Sequence, residues 1–381
     1  MYKAYKFRVY PSVLQKEIIN KSLGCSRFVF NHYLAIMKDS GYMNAFACIK
    51  DYVEHLKYEY SFLTEVDSII IRKSLFHLDD AFQRFFKRQG NYPKFKSRFS
   101  NNSYNTSAIY GSYKGNTYCN IEIDFIKRMI KLPKLKWMKF RGYRNLENLP
   151  GKIINATISK EDNGKYYVSI ACEISSLKDY HIIPTSIVGL DLGIKKLITL
   201  SDSKTFDNNK YILKYEKQIK RCQRSLSRKE KCSKNYYKCK QKLAKLYSKL
   251  KNARKYYIHS ITKKITDNYD IIVTELLSSK HMLKDKNLSK SIQDTSFYEI
   301  IRQLHYKSSW KGKYFYQIDK YYPSSQTCSV CSHIDKKYKD LNKRLYECSN
   351  CYQEIDRDLN ASINIMFEGL KLHMKNSISV I

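Results

Sequence analysis

Four cysteines near the carboxyl end of this 381-residue sequence constrain its fold more firmly than any other feature. Two C-x-x-C pairs, Cys328 with Cys331 and Cys348 with Cys351, enclose 16 residues. Each short turn lets two thiolates reach one ion, and two such turns complete the tetrahedral shell of a zinc ribbon. Four thiolates leave no open position for a substrate, so we predict that these residues bind a structural Zn²⁺.

The residues that follow each cysteine pair depart from the usual zinc-ribbon pattern. Ser332 and Tyr352 stand where zinc knuckles favour glycine. We therefore expect looser turns, with the full set of ligands retained. The other cysteines show no ligand-like spacing, and we interpret them as small buried hydrophobic side chains.

The charge balance indicates a polyanionic partner. The sequence holds 70 Lys and Arg against 35 Asp and Glu, a formal net charge of +35 at pH 7. Self-repulsion of this size opposes a compact state, whereas a polyanion that neutralises it releases counterions. A membrane surface usually needs only one short basic tract, but here the basic residues run along the whole chain. We expect nucleic acid as the partner, and no membrane.

The absence of long apolar segments indicates the cellular compartment. No apolar run approaches the ~18 residues of a membrane-spanning helix, and the first ten residues have no signal-peptide core. We therefore expect a soluble, intracellular protein. In that reducing environment metal binding is favoured over a disulfide framework.

The first half of the sequence predicts a helical segment inserted into a β-rich domain. Residues 2–10 alternate in polarity and form a predicted strand that ends at Pro11. Ser12 is a candidate helix N-cap, and apolar residues at helical spacing recur as far as Arg88. A small β-barrel or sheet is then predicted, with strands at Tyr118–Ile123, Met129–Leu132, Lys152–Ser159 and Tyr166–Ile174.

The second half alternates strands and helices, as is typical of an α/β layer. A strand pair broken at Gly193 comes first, and an amphipathic helix is predicted at Thr295–Trp310. Further short strands are predicted at 270–275 and 314–318.

Two long helices are predicted between 210 and 265, separated near Cys232. From Lys210 to Lys264 there are 20 Lys and Arg, opposed only by Glu216 and Glu230. Ordinary surface helices carry charges of both signs. We therefore interpret this pair as a phosphate-tracking face.

Acidic residues at three places in the chain suit metal-dependent hydrolysis of a phosphodiester. Asp191 lies in a predicted strand, Glu275 ends another, and Asp356 and Asp358 precede a predicted helix. In-line hydrolysis needs a deprotonated water and a stabilised leaving oxygen. Two divalent ions about 3.5–4 Å apart provide both when carboxylates hold them.

Each acid also has an ordinary explanation. Asp191 could be a turn residue, Glu275 a solvated strand end and Asp358 a helix N-cap. Their order, with the cysteine pairs between the second and the third, favours a catalytic set. Gly189 and Gly193 flank Asp191, and we interpret them as room for a nucleic-acid backbone beside this carboxylate.

These motifs resemble the TnpB family, which small bacterial insertion sequences encode and which is related to the compact type V CRISPR nucleases. The resemblance rests on GLDLG at 189–193, SSQTCSVC at 324–331 and DRDLNAS at 356–362. It continues in four further segments: YKFRVYP at 5–11, GCSRFVFN at 24–31, YPKFKS at 92–97 and KSIQDTSF at 290–297.

The resemblance implies an α/β multidomain fold. A RuvC (RNase H-like) nuclease domain would carry an inserted four-cysteine zinc ribbon, and a β-barrel wedge domain interrupted by a helical recognition domain would precede it. The implied parts are a first wedge strand at 1–11, a recognition domain at 12–104, a wedge barrel at 105–183, a RuvC-like domain at 184–319, a zinc ribbon at 320–354 and a RuvC-like C-terminal part at 355–381.

The resemblance also implies an activity, that of an RNA-guided DNA endonuclease. A guide RNA from the element's end would pair with double-stranded target DNA. The protein would read a short adjacent motif and the shape of the heteroduplex. We expect a monomer on the RNA, in the bacterial cytoplasm and associated with the nucleoid.

Carried over onto this sequence, the resemblance makes Asp191, Glu275 and Asp358 the catalytic residues and the ligands of Mg²⁺ in a two-metal site. Asp358 is preferred to Asp356 because the family's third acid lies two residues before an asparagine, here Asn360. Asp356 is the alternative. Many relatives carry a second acid directly after the glutamate, where this chain has Leu276. We expect this difference to leave metal binding intact and to lower activity.

Two other classes of protein stay open. One is a non-cleaving DNA-binding accessory or regulator of transposition, and the other is a transposase proper. Intact acids favour a nuclease over the regulator. The sequence shows no obvious tyrosine-nucleophile or histidine-pair motif for strand transfer, which disfavours the transposase.

Overall fold

A computed structural model describes residues 2–98, 102–113, 116–142, 149, 151–174, 183–277, 289–339 and 343–378. The chain forms two compact units, Met1–Ser176 and Leu177–Ile381. Within the described ranges no helix has both the length and the apolar character needed to span a bilayer.

The first helix of the first unit begins at a capping box. Gln15 donates its N–H to the Ser12 hydroxyl at 3.3 Å, and its side chain accepts the Ser12 N–H at 2.9 Å. The predicted N-cap is confirmed, and such a cap typically stabilises a helix by ~1 kcal/mol. The helices are α1 (Val13–Ser40), α2 (Ala45–Asp51), α3 (Lys57–Glu59) and α4 (Ser68–Phe86), with a π-helical turn at Tyr52–Leu56 and a 3₁₀ turn at Ser61–Glu65.

These helices enclose an apolar core of their own. Val29, Tyr33 and Leu34 of α1 pack there with Leu63 and Leu75. The Tyr33 hydroxyl donates a hydrogen bond at 2.7 Å to a carboxylate of α2. Because the hydroxyl group has this partner, the ring can stay fully buried.

Strand β1 (Tyr2–Tyr10) lies in the middle of a seven-stranded antiparallel sheet, although it comes first in the chain. It pairs with β9 on one side and β7 on the other. The sheet order is β2-β8-β9-β1-β7-β6-β5, and β3 and β4 form a separate hairpin. The strands are β2 (Ser103–Ser107), β3 (Tyr110–Tyr113), β4 (Asn116–Cys119), β5 (Glu122–Asp124), β6 (Met129–Leu132), β7 (Lys136–Arg141), β8 (Lys152–Lys160) and β9 (Tyr166–Glu173).

One predicted strand of this unit is wrong. The segment Tyr118–Ile123 is divided between β4 and β5 because the side chain of Asn120 accepts the Ile109 N–H at 2.8 Å and turns the chain. Strand β7 was not predicted at all. Among the described residues the strands run as an open series from β2 to β5, so closure into a barrel stays a prediction.

The second unit is built on a five-stranded mixed sheet of order β12-β11-β10-β13-β14. Strands β10, β13 and β14 are parallel, and β11 is antiparallel to both of its neighbours. The expected break at Gly193 separates β10 from β11, whereas β12 was not predicted. The strands are β10 (Ile187–Asp191), β11 (Lys196–Leu200), β12 (Thr205–Asp207), β13 (Ile271–Glu275) and β14 (Tyr314–Ile318).

Five helices of the second unit lie in its described part. The two long basic helices are present, and the gap between them contains Cys232 as predicted. The predicted helix Thr295–Trp310 begins two residues later, after a separate short helix. The helices are α5 (Tyr211–Ser227), α6 (Lys234–Asn268), α7 (Ser289–Thr295), α8 (Phe297–Trp310) and α9 (Arg357–Ile378). Strands β15 (Leu345–Glu347) and β16 (Glu354–Asp356) form a separate two-stranded sheet.

Two glycines let helix α9 touch the sheet. A Cβ atom on Gly189 of β10 would lie 2.0 Å from the carbonyl oxygen of Ser362, and one on Gly369 would lie 2.2 Å from a methyl carbon of Val273. The interpretation of Gly189 as room for nucleic acid is therefore wrong, because the helix occupies that space. Gly193 lies in the turn between β10 and β11, where a Cβ atom would lie 2.7 Å from the carbonyl oxygen of Lys196.

Candidate catalytic centre, cysteine cluster and basic face

Asp191 and Glu275 come together at one edge of the second sheet. They are the last residues of β10 and β13. These strands are parallel neighbours, with Leu190 opposite Thr274. Because the acids are the next residues along, they lie side by side, and each is half-buried.

Helix α9 places Asp358 in the neighbourhood of Asp191. This residue lies in the first turn of the helix, and its charge raises the pKa of Asp191, so the two carboxylates are within electrostatic range. The Asp358 carboxylate also lies 3.4 Å from a guanidinium nitrogen of Arg344.

Asp356 has a different role. Its carboxylate accepts the N–H groups of Asp358 at 2.9 Å and Leu359 at 3.1 Å, so Asp356 is the N-cap of α9. It also pairs with Lys196 at 3.4 Å. The alternative interpretation of Asp358 as the N-cap is therefore wrong.

The neighbouring acids disfavour ionisation of Asp191. Burial, together with the charges of Glu275 and Asp358, raises the pKa of Asp191 to about 8, whereas Arg357 lowers it. Burial also raises the pKa of Glu275, against a hydrogen bond from Ser324 that lowers it. Carboxylates held together in this way favour a hard divalent cation between them.

Polar residues that sequence reasoning missed hold Glu275 in place. The Ser324 hydroxyl donates a hydrogen bond to Oε1 of Glu275. Asn364 of α9 donates to the carbonyl oxygens of Ser324 at 2.8 Å and Thr327 at 2.6 Å, and Asn360 donates to Thr327 at 2.7 Å. Both asparagines are buried. Their spacing of one helical turn is the signal that could have identified them.

The four cysteines meet as predicted. Sγ of Cys328 lies 3.6 Å from that of Cys351, and Sγ of Cys331 lies 3.5 Å from that of Cys348. All four sulfurs fall within 4.8 Å of one another, and in the described ranges no other set of three or more potential ligands is grouped in this way. Hydrogen bonds, first of all from the backbone N–H of His333, lower the pKa of Cys331 to about 6, which favours its thiolate. For Cys351 the backbone N–H of Gln353 lowers the pKa, but burial and the neighbouring sulfurs raise it to about 12.

Both positions that lack the usual glycine adopt the left-handed conformation. Ser332 has φ 61° and Tyr352 has φ 57°. Each donates its N–H at 3.0 Å to the carbonyl oxygen of the first cysteine of its pair. The turns therefore keep the geometry of a zinc knuckle, at a conformational cost of roughly 1 kcal/mol per residue.

The basic helices carry a concave surface on α5. A cleft of about 730 Å³ opens there. Of its cations, in the described part of the chain, only Lys220 forms an ion pair, with Glu216 at 2.7 Å. Unpaired cations in a row suit a phosphate backbone. The cleft is lined by Lys217, Lys220, Arg221, Arg224, Ser225, Arg228 and Lys229.

Three family profiles match this chain. Residues 169–286 match the OrfB family of IS605, described as a probable transposase, and residues 297–365 match the TNB domain of Cas12f1-like proteins. Residues 1–44 match a helix-turn-helix domain of the OrfB group. In the structure, this N-terminal range contains strand β1 and the single long helix α1.

Relatives extend the match over nearly the whole chain. An Escherichia coli K12 protein named "Putative RNA-guided DNA endonuclease InsQ" is 31% identical over 388 residues, which cover 96% of this chain and 92% of that protein. A Streptomyces pristinaespiralis protein with the same activity in its name is 29% identical and covers 97% of this chain and 89% of its own length.

A solved structure shares the fold. The protein in a cryo-EM structure of a Cas12f1–sgRNA–target DNA complex superposes with a TM-score of 0.57 and 14% identity, over 96% of this chain and 98% of that chain. The structural similarity and the cysteine cluster therefore define a Cas12f-like fold. Within that class, the chain belongs to the transposon-associated TnpB family of OrfB proteins, as its motifs indicated.

Proposed function

We propose that this protein is an RNA-guided, metal-dependent DNA endonuclease of a transposon, which cuts target DNA beside a short adjacent motif. The observation that carries the proposal is that Asp191 and Glu275 end adjacent parallel strands, while Asp358 of α9 lies close enough for its charge to raise the pKa of Asp191. The names of the relatives indicate the reaction class. Guide RNA and double-stranded DNA are the proposed partners, bound by a monomer in the bacterial cytoplasm at the nucleoid.

The donor set fits magnesium. Asp191, Glu275 and Asp358 offer only oxygen atoms, and a divalent cation would offset the repulsion of Asp191 by Glu275 and Asp358. When bound, two such ions activate the attacking water and stabilise the leaving oxygen. These three residues are the proposed ligands, with Asp358 as the third acid because Asp356 is occupied in capping α9.

Neighbouring residues keep the acids in position. Ser324 fixes the Glu275 carboxylate through its hydroxyl, and Asn364 fixes Ser324 in turn. Gly189 lets α9, the helix that carries Asp358, lie against β10, the strand that carries Asp191. Rigid support of this kind matters because a displacement of about 1 Å can cost roughly 100-fold in rate.

Zinc is proposed as a structural ion. Cys328, Cys331, Cys348 and Cys351 would hold it, and four thiolates close its coordination shell. The buried segment before Cys328 is the same one that Asn360 and Asn364 bind. A folded ribbon therefore supports the placement of Ser324 at the catalytic centre.

The proposed domain layout follows the predicted boundaries. The strand at 1–11 and residues 105–183 would be the wedge, and the helices at 12–104 the recognition domain. The RuvC nuclease would comprise 184–319 and 355–381, with the zinc ribbon at 320–354 between them. The central position of β1 and the packing of α9 on β10 and β13 favour these assignments.

A plasmid-cleavage assay tests the proposed function. The protein would be co-expressed with RNA from its element's end and given a matching target with a randomised flank. We expect Mg²⁺-dependent cutting that depletes one flanking motif and is lost in Asp191→Asn. The matched control is Glu230→Gln, because Glu230 is an exposed acid of the loop between α5 and α6.

The main alternative gives a different result in the same assay. A regulator of transposition would bind target DNA in a guide-dependent way without cutting it. Equal DNA binding by wild type and Asp191→Asn, with no cutting by either, would therefore refute the nuclease and support the regulator.

A further inference from the structure

A cleft in the first unit gathers positive side chains without an acidic one. Its volume is about 380 Å³, and it lies where helix α1 meets the segment before β2 and the end of β8. The residues of this cleft belong neither to the proposed metal site nor to the basic helices α5 and α6. Its lining residues are Asn20, Leu23, Arg27, Arg98, Asn102 and Lys160.

Hydrogen bonds hold two of the cations in place. Arg27 donates from its guanidinium to Oδ1 of Asn102 at 3.1 Å, and the Lys160 ammonium donates to Oδ1 of Asn20 at 3.1 Å. The Lys160 N–H also donates to the carbonyl oxygen of Asn102 at 2.9 Å, which ties the two walls together. Cations positioned in advance lose less side-chain freedom when they bind a ligand.

The charges of this cleft are not compensated by the protein. In the part of the chain that the structure describes, none of Arg27, Arg98 and Lys160 forms an ion pair, and the nearby Glu161 pairs instead with Lys6 at 3.3 Å. Burial and the charge of Arg98 lower the pKa of Arg27. Like charges held close together are unfavourable unless an anion lies between them.

We propose that Arg27, Arg98 and Lys160 bind one phosphodiester group of a nucleic acid. Two guanidinium forks match the geometry of phosphate oxygens, and the ammonium adds a point charge. The inference rests on the proposed function, since guide RNA and target DNA both present this group. It also gives a role to Arg27, which lies in a segment shared with the TnpB family but has no part in the metal site.

Two variants of the cleft and one matched control test this site. Arg27→Gln and Lys160→Gln each remove one of its charges, while Lys38→Gln removes an exposed charge from the same helix α1. Affinity for guide RNA would be measured at several salt concentrations. Affinity of the RNA-loaded protein for matched target DNA would be measured in the same way.

We expect each cleft variant to bind about 5- to 10-fold more weakly. Its plot of log affinity against log salt should lose part of the slope of about 0.7–0.9 that one phosphate contact contributes, because the other two cations remain. The control should stay within about twofold of wild type. Loss in the RNA measurement assigns the phosphate to the guide, and loss in the DNA measurement alone assigns it to the target.

Wild-type affinity and slope for both Arg27→Gln and Lys160→Gln, in both measurements, would overturn the inference. If Arg27→Gln lowers the melting temperature, Lys160→Gln decides, because its side chain is partly exposed at a strand end. A wild-type protein that binds no guide RNA would instead contradict the proposed function, so the two failures are distinguishable.

Discussion

Replacing Gly189 by alanine tests whether helix α9 sets the geometry of the acids. The new Cβ would lie 2.0 Å from the carbonyl oxygen of Ser362 and 2.5 Å from the backbone nitrogen of Met366. Ordinary contact begins near 3.4 Å, so the shortfall is about 1.4 Å. Both contacts are backbone atoms of one helix, and a rotamer change cannot relieve them. The helix must therefore move by roughly 1 Å, and Asp358 moves with it.

That displacement has two expected consequences. Overpacking of this kind costs about 1–3 kcal/mol, which corresponds to an apparent melting temperature lower by roughly 5 °C. Misplacing Asp358 relative to Asp191 by about 1 Å should slow cleavage by roughly 100-fold. Affinity for guide RNA should stay unchanged.

Gly24→Ala is the matched control. Gly24 lies within α1, and a Cβ there has no atom within 4 Å. Alanine should be neutral or stabilise the helix by about 0.5–1 kcal/mol, with cleavage unchanged. If Gly189→Ala cuts within about threefold of the wild-type rate and melts at the same temperature, the reasoning about α9 is wrong.

Three further predictions concern the same unit. Asp358→Asn should abolish cleavage. Asp356→Asn should keep cleavage, because the amide oxygen can still cap α9, and its loss of stability should stay below about 1 kcal/mol. Cleavage assays and thermal melting measure these two effects. Equal loss of cleavage in both variants would contradict this assignment. Ser332→Gly and Tyr352→Gly should each stabilise the zinc-loaded protein by about 0.5 kcal/mol net, because relief of the left-handed strain is partly offset by a more flexible unfolded chain; a lower melting temperature would count against the turn geometry. Removing zinc with a zinc-selective chelator should lower cleavage, with recovery when zinc is restored, and an unaffected rate would separate the ribbon from the catalytic centre.

Features encoded locally were predictable from the sequence. The capping box at Ser12, the long basic helices and the cysteine pairs each depend on residues close together in the chain. Strand β7, with the sequence KWMKFR, was missed because it is short and half of its residues are charged, and its burial depends on β1 and β6.

Features that depend on distant partners were not predictable. Gly189 alone cannot reveal that Ser362 lies beside it, 173 residues further along the chain. Asp356 and Asp358 are two residues apart, and only the position at which α9 begins distinguishes the cap from the third acid. The roles of Ser324 and Asn364 likewise arise from contacts across the fold.

The central position of β1 also governs the order in which the first unit can be assembled. Its partner β9 ends at Glu173, about 160 residues after β1 leaves the ribosome. At about 5–20 residues per second that interval lasts roughly 8–30 s. Helices α1 to α4 can pack around their own core during this interval. The backbone groups of β1 that pair with β9 stay unpaired until β9 has been synthesised. Lys3, Lys6 and Arg8 give this waiting strand a positive charge, which discourages pairing with a second nascent chain.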